Sequence, residues 1–158
     1  MQCAALFEHP VASEELCASI ADMFRGGRVD VVAGPALGGV ILAYEVARSL
    51  GVRNIFAERE NGKMTFRRGF HVNPGERVLV VEDVVTTGGS VREVIELLRE
   101  TGAEVAGVGA VVDRSGGSVD FGVPFRPLMC MEARKWEESE CPLCREGIPI
   151  DKPGSRAV

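Results

Sequence analysis

What this chain of 158 residues has little of already narrows its function. No apolar run approaches the roughly 20 residues a bilayer-crossing helix needs. The first ten residues carry Glu8 and no basic stretch, so they are not expected to act as a secretory leader. Positive charge is not in excess. With 18 Lys and Arg against 23 Asp and Glu, the net charge is −5, which argues against a nucleic-acid partner held by a basic field. Histidine is scarce: His9 and His71 are the only two, neither with a nucleophile in view, which argues against a Ser/Cys–His hydrolase. Five cysteines are an odd number, and Cys3, Cys17 and Cys130 are scattered among apolar neighbours. That suits reduced thiols in a cytoplasm better than a disulfide framework. The lone C-x-x-C at Cys141 and Cys144 falls short of the four ligands a zinc site usually needs. Its thiols are read as packing groups, with a metal shared across a dimer or a redox pair as alternatives. Both familiar nucleotide loops, Gly-x-x-x-x-Gly-Lys-Ser/Thr and strand-end Gly-x-Gly-x-x-Gly, are missing.

What is present reads as an ordinary globular composition, 46% hydrophobic and 26% charged. The length predicts one domain over 1–158, with a polar, Pro-rich tail over 137–158. Ser13 is expected to cap a first helix stopped by Gly26-Gly27. A short β-branched strand follows over 29–33, then a glycine-rich break, a helix over 40–50 and a strand over 54–57. The polar stretch 58–70, with Asn61-Gly62 at its centre, predicts an exposed β-arm or mobile loop. Residues 77–81 make the strongest strand. A helix over 89–101 and strands over 105–112 and 126–131 complete the pattern. Strands alternating with single helices predict an α/β fold with a mostly parallel sheet flanked by helices. Ligands of such sheets bind beyond the carboxyl ends of the strands.

Three strand ends carry unusual chemistry. At the first, Glu82 and Asp83 leave a buried strand and are followed by Val84, Val85, Thr86, Thr87, Gly88, Gly89 and Ser90. Glycine amides, hydroxyls and a helix N-terminus together form a phosphate cradle. The acids would repel a bare phosphate, so they fit ribose hydroxyls, or Mg²⁺ held through them, in the same ligand. The second end is Gly34-Pro35-Ala36-Leu37-Gly38-Gly39. The third places Arg114, a planar fork of donors suited to a carboxylate or a carbonyl-rich base, after Val111-Val112-Asp113.

The segment from Val78 to Ser90 resembles the signature of the type I phosphoribosyltransferases, two acids followed by a Thr/Gly-rich loop. With Phe56-Ala57-Glu58-Arg59, Asn73-Pro74-Gly75, Arg114 and the segment from Phe121 to Phe125, the chain resembles the orotate-using members. The resemblance implies that phosphoribosyl pyrophosphate (PRPP) and orotate are the substrates, giving orotidine 5′-monophosphate and pyrophosphate in pyrimidine biosynthesis. It implies that Glu82 and Asp83 hold the ribose and that the residues from Val84 to Ser90 wrap the 5′-phosphate. Ala36, Leu37, Gly38 and Gly39 would face the pyrophosphate, with a non-proline cis peptide near Ala36-Leu37, and Thr86 and Arg114 would meet orotate. It also implies Mg²⁺ bound through PRPP, with no direct protein ligand, and a homodimer. In that dimer Arg59 and Lys63 would act in the neighbouring site, joining Asp83 as catalytic groups. The chain is expected to be a short form without the family's N-terminal hood, and it has Leu37-Gly38 where many members have Tyr-Lys. The alternatives are a PRPP-dependent transferase for another base and a PRPP-binding regulator without catalysis.

Overall fold

The computed structural model describes residues 3–132, 136–137 and 139–148; the rest of the tail expected over 137–158 lies outside the described residues. A 3-10 helix, Cys3–Glu8, leads into α1 (Pro10–Asp22). There follow β1 (Val31–Pro35), α2 (Gly38–Leu50), the hairpin strands β2 (Arg53–Glu60) and β3 (Lys63–Phe66), and β4 (Arg77–Val85). After these come α3 (Gly89–Glu100), β5 (Glu104–Asp113), β6 (Phe125–Cys130) and a single turn, α4 (Pro142–Arg145). The strands form one six-stranded sheet in the order β3-β2-β1-β4-β5-β6. Every pairing is parallel except β2 with β3.

The sheet is covered on both faces, as its parallel strands require. Val31 and Ala33 of β1 and Val78 and Val80 of β4 point to one face, where Val94, Ile95 and Leu98 of α3 close the core. Their alternating neighbours Val32, Leu79 and Val81 point to the other, against Cys17 and Ile20 of α1 and Leu42 and Val46 of α2. The period of two along each strand thus feeds two separate cores.

The first helix corrects the sequence expectation. It begins at Pro10 with His9 at the cap, because proline suits the first helical position. Ser13 lies inside the first turn, where its hydroxyl donates to the carbonyls of Leu6 (2.9 Å) and His9 (3.0 Å), tying the 3-10 segment to α1. The strand expected over 29–33 is displaced to Val31–Pro35, and most other strands run past their expected ends. The arm expected over 58–70 is a hairpin in its first half. Asn61 and Gly62 both have positive φ, 51° and 82°, as a two-residue hairpin turn demands.

Candidate active site

Between β1 and β4 the connections diverge: the chain leaves β1 toward β2 and leaves β4 toward β5. A crevice opens at such a switch point, outside the carboxyl ends of the strands. The expected site residues gather along this edge, and backbone bonds fix the strand ends to one another. Ala36 N–H donates to Ala57 O (2.7 Å), and Arg114 N–H donates to Val85 O (2.8 Å).

The turn after β1 carries a non-proline cis peptide at Ala36-Leu37, where the resemblance implied one. It folds back tightly: a Cβ on Gly34 would collide with the Gly39 carbonyl, and one on Gly39 would lie 2.9 Å from Pro35 Cδ. Leu37 is thereby left 82% exposed at the start of α2. Gly38 faces Asp83 directly, since a Cβ there would lie 2.6 Å from Oδ1 and 2.8 Å from Oδ2. The turn and the acidic strand end are in contact.

Glu82 and Asp83 sit within β4, because its ladder with β5 continues through Val85↔Asp113. Asp83 Oδ1 accepts the Val84 N–H (2.8 Å), and Glu82 Oε1 accepts the Asp83 N–H (3.2 Å), so both side chains are held near the strand end. Val84 and Val85 therefore belong to the strand, and Val85 is 1% exposed in the core. The open loop is Thr86, Thr87 and Gly88, the threonines exposed. Gly88 caps α3 at φ 74°, and a Cβ there would lie 2.8 Å from the Phe121 ring. No side chain caps α3, so the N–H groups of its first turn, Gly89 and Ser90 included, remain available to an anion. Arg92 braces this turn by donating to the Asp120 carbonyl and lying over the Phe121 ring at 5.3 Å.

Arg114 is half-buried beyond β5. Its backbone is clamped on one side by Val85 and on the other by the bond from Met131 N–H to Asp113 O (2.7 Å). The Asp113 carboxylate, 4% exposed, accepts the Ser115 N–H (2.8 Å) and turns the chain sharply away. Cys3, for which the sequence carried no signal, also belongs to this neighbourhood. Burial and then the Asp83 charge push its thiol up, while Arg114 pulls it down.

Arg59 and Lys63 are on the hairpin, and the two have different surroundings. The Arg59 guanidinium makes a two-pronged pair with Glu93 of α3, at 2.6 and 2.8 Å, and donates to the Gly62 carbonyl. The Glu93 hydrogen bonds raise its already high pKa and keep it charged. The Lys63 side chain is exposed and makes no hydrogen bond or ion pair among the described residues, while its backbone pairs with Glu60 across the hairpin. The sequence did not anticipate Glu93, which reaches the hairpin only through the tertiary fold.

The chemistry of the donors bears on Mg²⁺. No group of three or more His, Cys, Asp or Glu among the described residues could hold a metal directly. At the acidic strand end the side-chain oxygens are those of Glu82 and Asp83, hard donors of the chemical kind that Mg²⁺ and its bound water accept.

Residues 4–121 match the profile of the phosphoribosyl transferase domain. An orotate phosphoribosyltransferase of Caldanaerobacter subterraneus subsp. tengcongensis is 61% identical over the whole chain, which spans 83% of that relative. That of Thermotoga maritima is 57% identical, again over the whole chain and 84% of the relative. Among solved structures, adenine phosphoribosyltransferase from Thermoanaerobacter pseudethanolicus superposes with a TM-score of 0.70 at 18% identity, covering 80% of this chain and 84% of that one. Mycobacterium tuberculosis orotate phosphoribosyltransferase, solved with inorganic phosphate, gives a TM-score of 0.66 at 26% identity over 78% of this chain and 72% of its own.

Proposed function

The chain belongs to the phosphoribosyl transferase domain family, among its orotate phosphoribosyltransferases, and from that premise we propose how its crevice performs the reaction. The reaction is transfer of the phosphoribosyl group of PRPP to orotate, releasing pyrophosphate, a step of pyrimidine biosynthesis. The sheet and its helices are those of the type I fold.

Glu82 and Asp83 accept hydrogen bonds from the ribose hydroxyls. Thr86, Thr87 and Gly88, with the first-turn amides of α3, surround the 5′-phosphate. The turn Ala36-Leu37-Gly38-Gly39 receives the pyrophosphate beside them. The contact between Gly38 and Asp83 carries this reading, because it brings the pyrophosphate and ribose ends of one ligand together. Thr86 and Arg114 hold orotate, the guanidinium matching its carboxylate or ring carbonyls.

The charge of orotate at neutral pH lies on its carboxylate, so the ring nitrogen gives up its proton as it bonds to the anomeric carbon, and the departing pyrophosphate, a phosphate oxyanion, accepts it. The protein aligns the ring nitrogen with the anomeric carbon and stabilises charge as the bond to pyrophosphate breaks. Mg²⁺, when bound with PRPP, supplies neutralisation of pyrophosphate charge. Arg59 and Lys63 bring further cations from the hairpin of the neighbouring subunit of a homodimer, and the enzyme works in the cytoplasm. Among the described residues no helix is long and apolar enough to cross a membrane.

The test is turnover of a panel of nucleobases with PRPP and Mg²⁺. Orotate should be consumed, with adenine, guanine and uracil about ten-thousandfold slower, the scale expected when a site built for a polar group receives an analogue lacking it. Comparable turnover of a purine would overturn the assignment of Arg114 to the orotate carboxylate.

A further inference from the structure

The five cysteines fall into chemically distinct groups. Cys3 and Cys17 are core residues at 3% and 0% exposure. Burial pushes both thiols up, that of Cys17 to about 12. Such sulfurs are inert packing groups. Cys141 and Cys144 are instead half-exposed and lie outside both hydrophobic cores. Cys141 precedes α4 and Cys144 lies within its single turn, and the Arg145 N–H closes that turn on the Cys141 carbonyl at 3.2 Å. Residues three apart on a helical turn share a face, so the two cysteines are neighbours on this turn.

The two sulfurs interact. The Cys144 N–H and the Cys144 thiol hydrogen-bond to the Cys141 sulfur, and the Leu143 N–H and the Arg145 charge also favour its anion. Together they hold the Cys141 thiol below the usual cysteine value. Among the described residues no third His, Cys, Asp or Glu joins the pair to make a metal site. Two adjacent thiols, one activated and both reachable, are equipped for two-electron exchange.

We propose that Cys141 and Cys144 form a redox-active dithiol, modified by small disulfides such as glutathione disulfide. The Cys141 thiolate attacks one sulfur of the oxidant, the oxidant's S–S bond breaks, and one glutathione leaves as a thiolate that takes up a proton. Cys144 then loses its proton, attacks the Cys141 sulfur and expels the second glutathione. The two protein thiols give up two electrons and two protons; one disulfide becomes two thiols. Nothing in this proposal depends on the PRPP crevice.

The experiment uses the full chain. At neutral pH, iodoacetamide should label Cys141 about tenfold faster than Cys130, which is also exposed, as a thiol with more thiolate character should react. With glutathione disulfide, the wild-type chain should become lighter by two hydrogens, with a Cys141–Cys144 linkage in its peptide map. Cys144→Ser should stop at a glutathione adduct on Cys141, and Cys141→Ser should leave Cys144 reduced. Equal labelling of Cys141 and Cys130 would overturn the proposal. So would an adduct that wild type never resolves, or a chain purified with tightly held zinc that shields both sulfurs.

Discussion

Asp83 lies so close to Gly38 that residue 38 has no room for a side chain: a single added carbon would stand 2.6 Å from one carboxylate oxygen and 2.7 Å from Cγ. Gly38→Ala must displace either the Asp83 carboxylate or the Ala36-Leu37 turn. PRPP affinity should fall about tenfold or more, the scale of losing one charge-assisted hydrogen bond, while the thermal midpoint moves little. Calorimetric titration of PRPP with Mg²⁺ reads it; an unaltered affinity would mean the turn yields freely.

Asp83→Asn keeps the shape and removes the charge. It should weaken PRPP by about ten- to a hundredfold, corresponding to roughly 1.5–3 kcal/mol, with the fold intact by circular dichroism. An affinity equal to wild type would remove Asp83 from ribose recognition.

Arg114 separates the two substrates. Arg114→Ala should raise the orotate KM far more than the PRPP KM, because the ligands meet different strand ends. Arg114→Lys should restore little, since an ammonium lacks the planar fork. Parallel losses toward both substrates would indicate that the residue holds the strand end rather than the base.

The Arg59–Glu93 pair is exposed on both sides, 45% and 36%, and pairs of this kind contribute about 0.2–1 kcal/mol. Pyrophosphate can therefore compete for the guanidinium. Glu93→Gln should speed hydrogen exchange in the hairpin around Asn61-Gly62, and Arg59→Ala should lower kcat. Mixing Asp83→Asn and Arg59→Ala chains should recover part of the activity each lacks. A sedimentation result showing only monomer would contradict the shared site, as would failed recovery despite proven subunit exchange.

Acid should loosen the amino edge of the sheet. The Arg77 N–H and the Arg28 guanidinium hold the Asp30 carboxyl below its usual value, and Arg53 with the Asn73 N–H does the same for Glu76. A lowered folded value means the contribution is complete above the unfolded pKa, about 4, and is lost as pH falls through the folded one. Asp30→Asn should lower the urea midpoint at pH 7 and flatten its decline below about pH 4. An acid limb as steep as that of wild type would shift the effect to other carboxylates.

The sequence revealed more of the strands' cores than of their ends. Val78-Leu79-Val80-Val81 announced β4 unaided, but Glu82 and Asp83 broke the apolar pattern while the backbone ladder with β5 continued. Likewise β2 runs on through Glu58, Arg59 and Glu60, whose partners are the hairpin residues Thr65, Met64 and Lys63. Where a strand ends in a polar site, hydropathy stops before hydrogen bonding does. Ser13 misled for another reason: its hydroxyl serves a tertiary bond to Leu6, while Pro10 opens the helix. The bend at Ala36-Leu37 was legible only through family likeness, since no residue type there demands it. Cys3 beside Asp83, and Glu93 opposite Arg59, are products of tertiary packing and leave no local trace.

The neighbouring of β1 and β4 also bears on how the protein acquires its activity. Ala33 pairs with Val80, although α2, the hairpin and a turn intervene in the chain. Loop-closure entropy must be met before such a distant pairing is rewarded, so this central seam is expected to zip late in folding. The same seam brings Gly38 to Asp83. No half-folded chain can therefore own a competent crevice: the last long-range pairing to form is also the one that makes an enzyme of it, and recovery of turnover on refolding should keep time with burial of the sheet's centre.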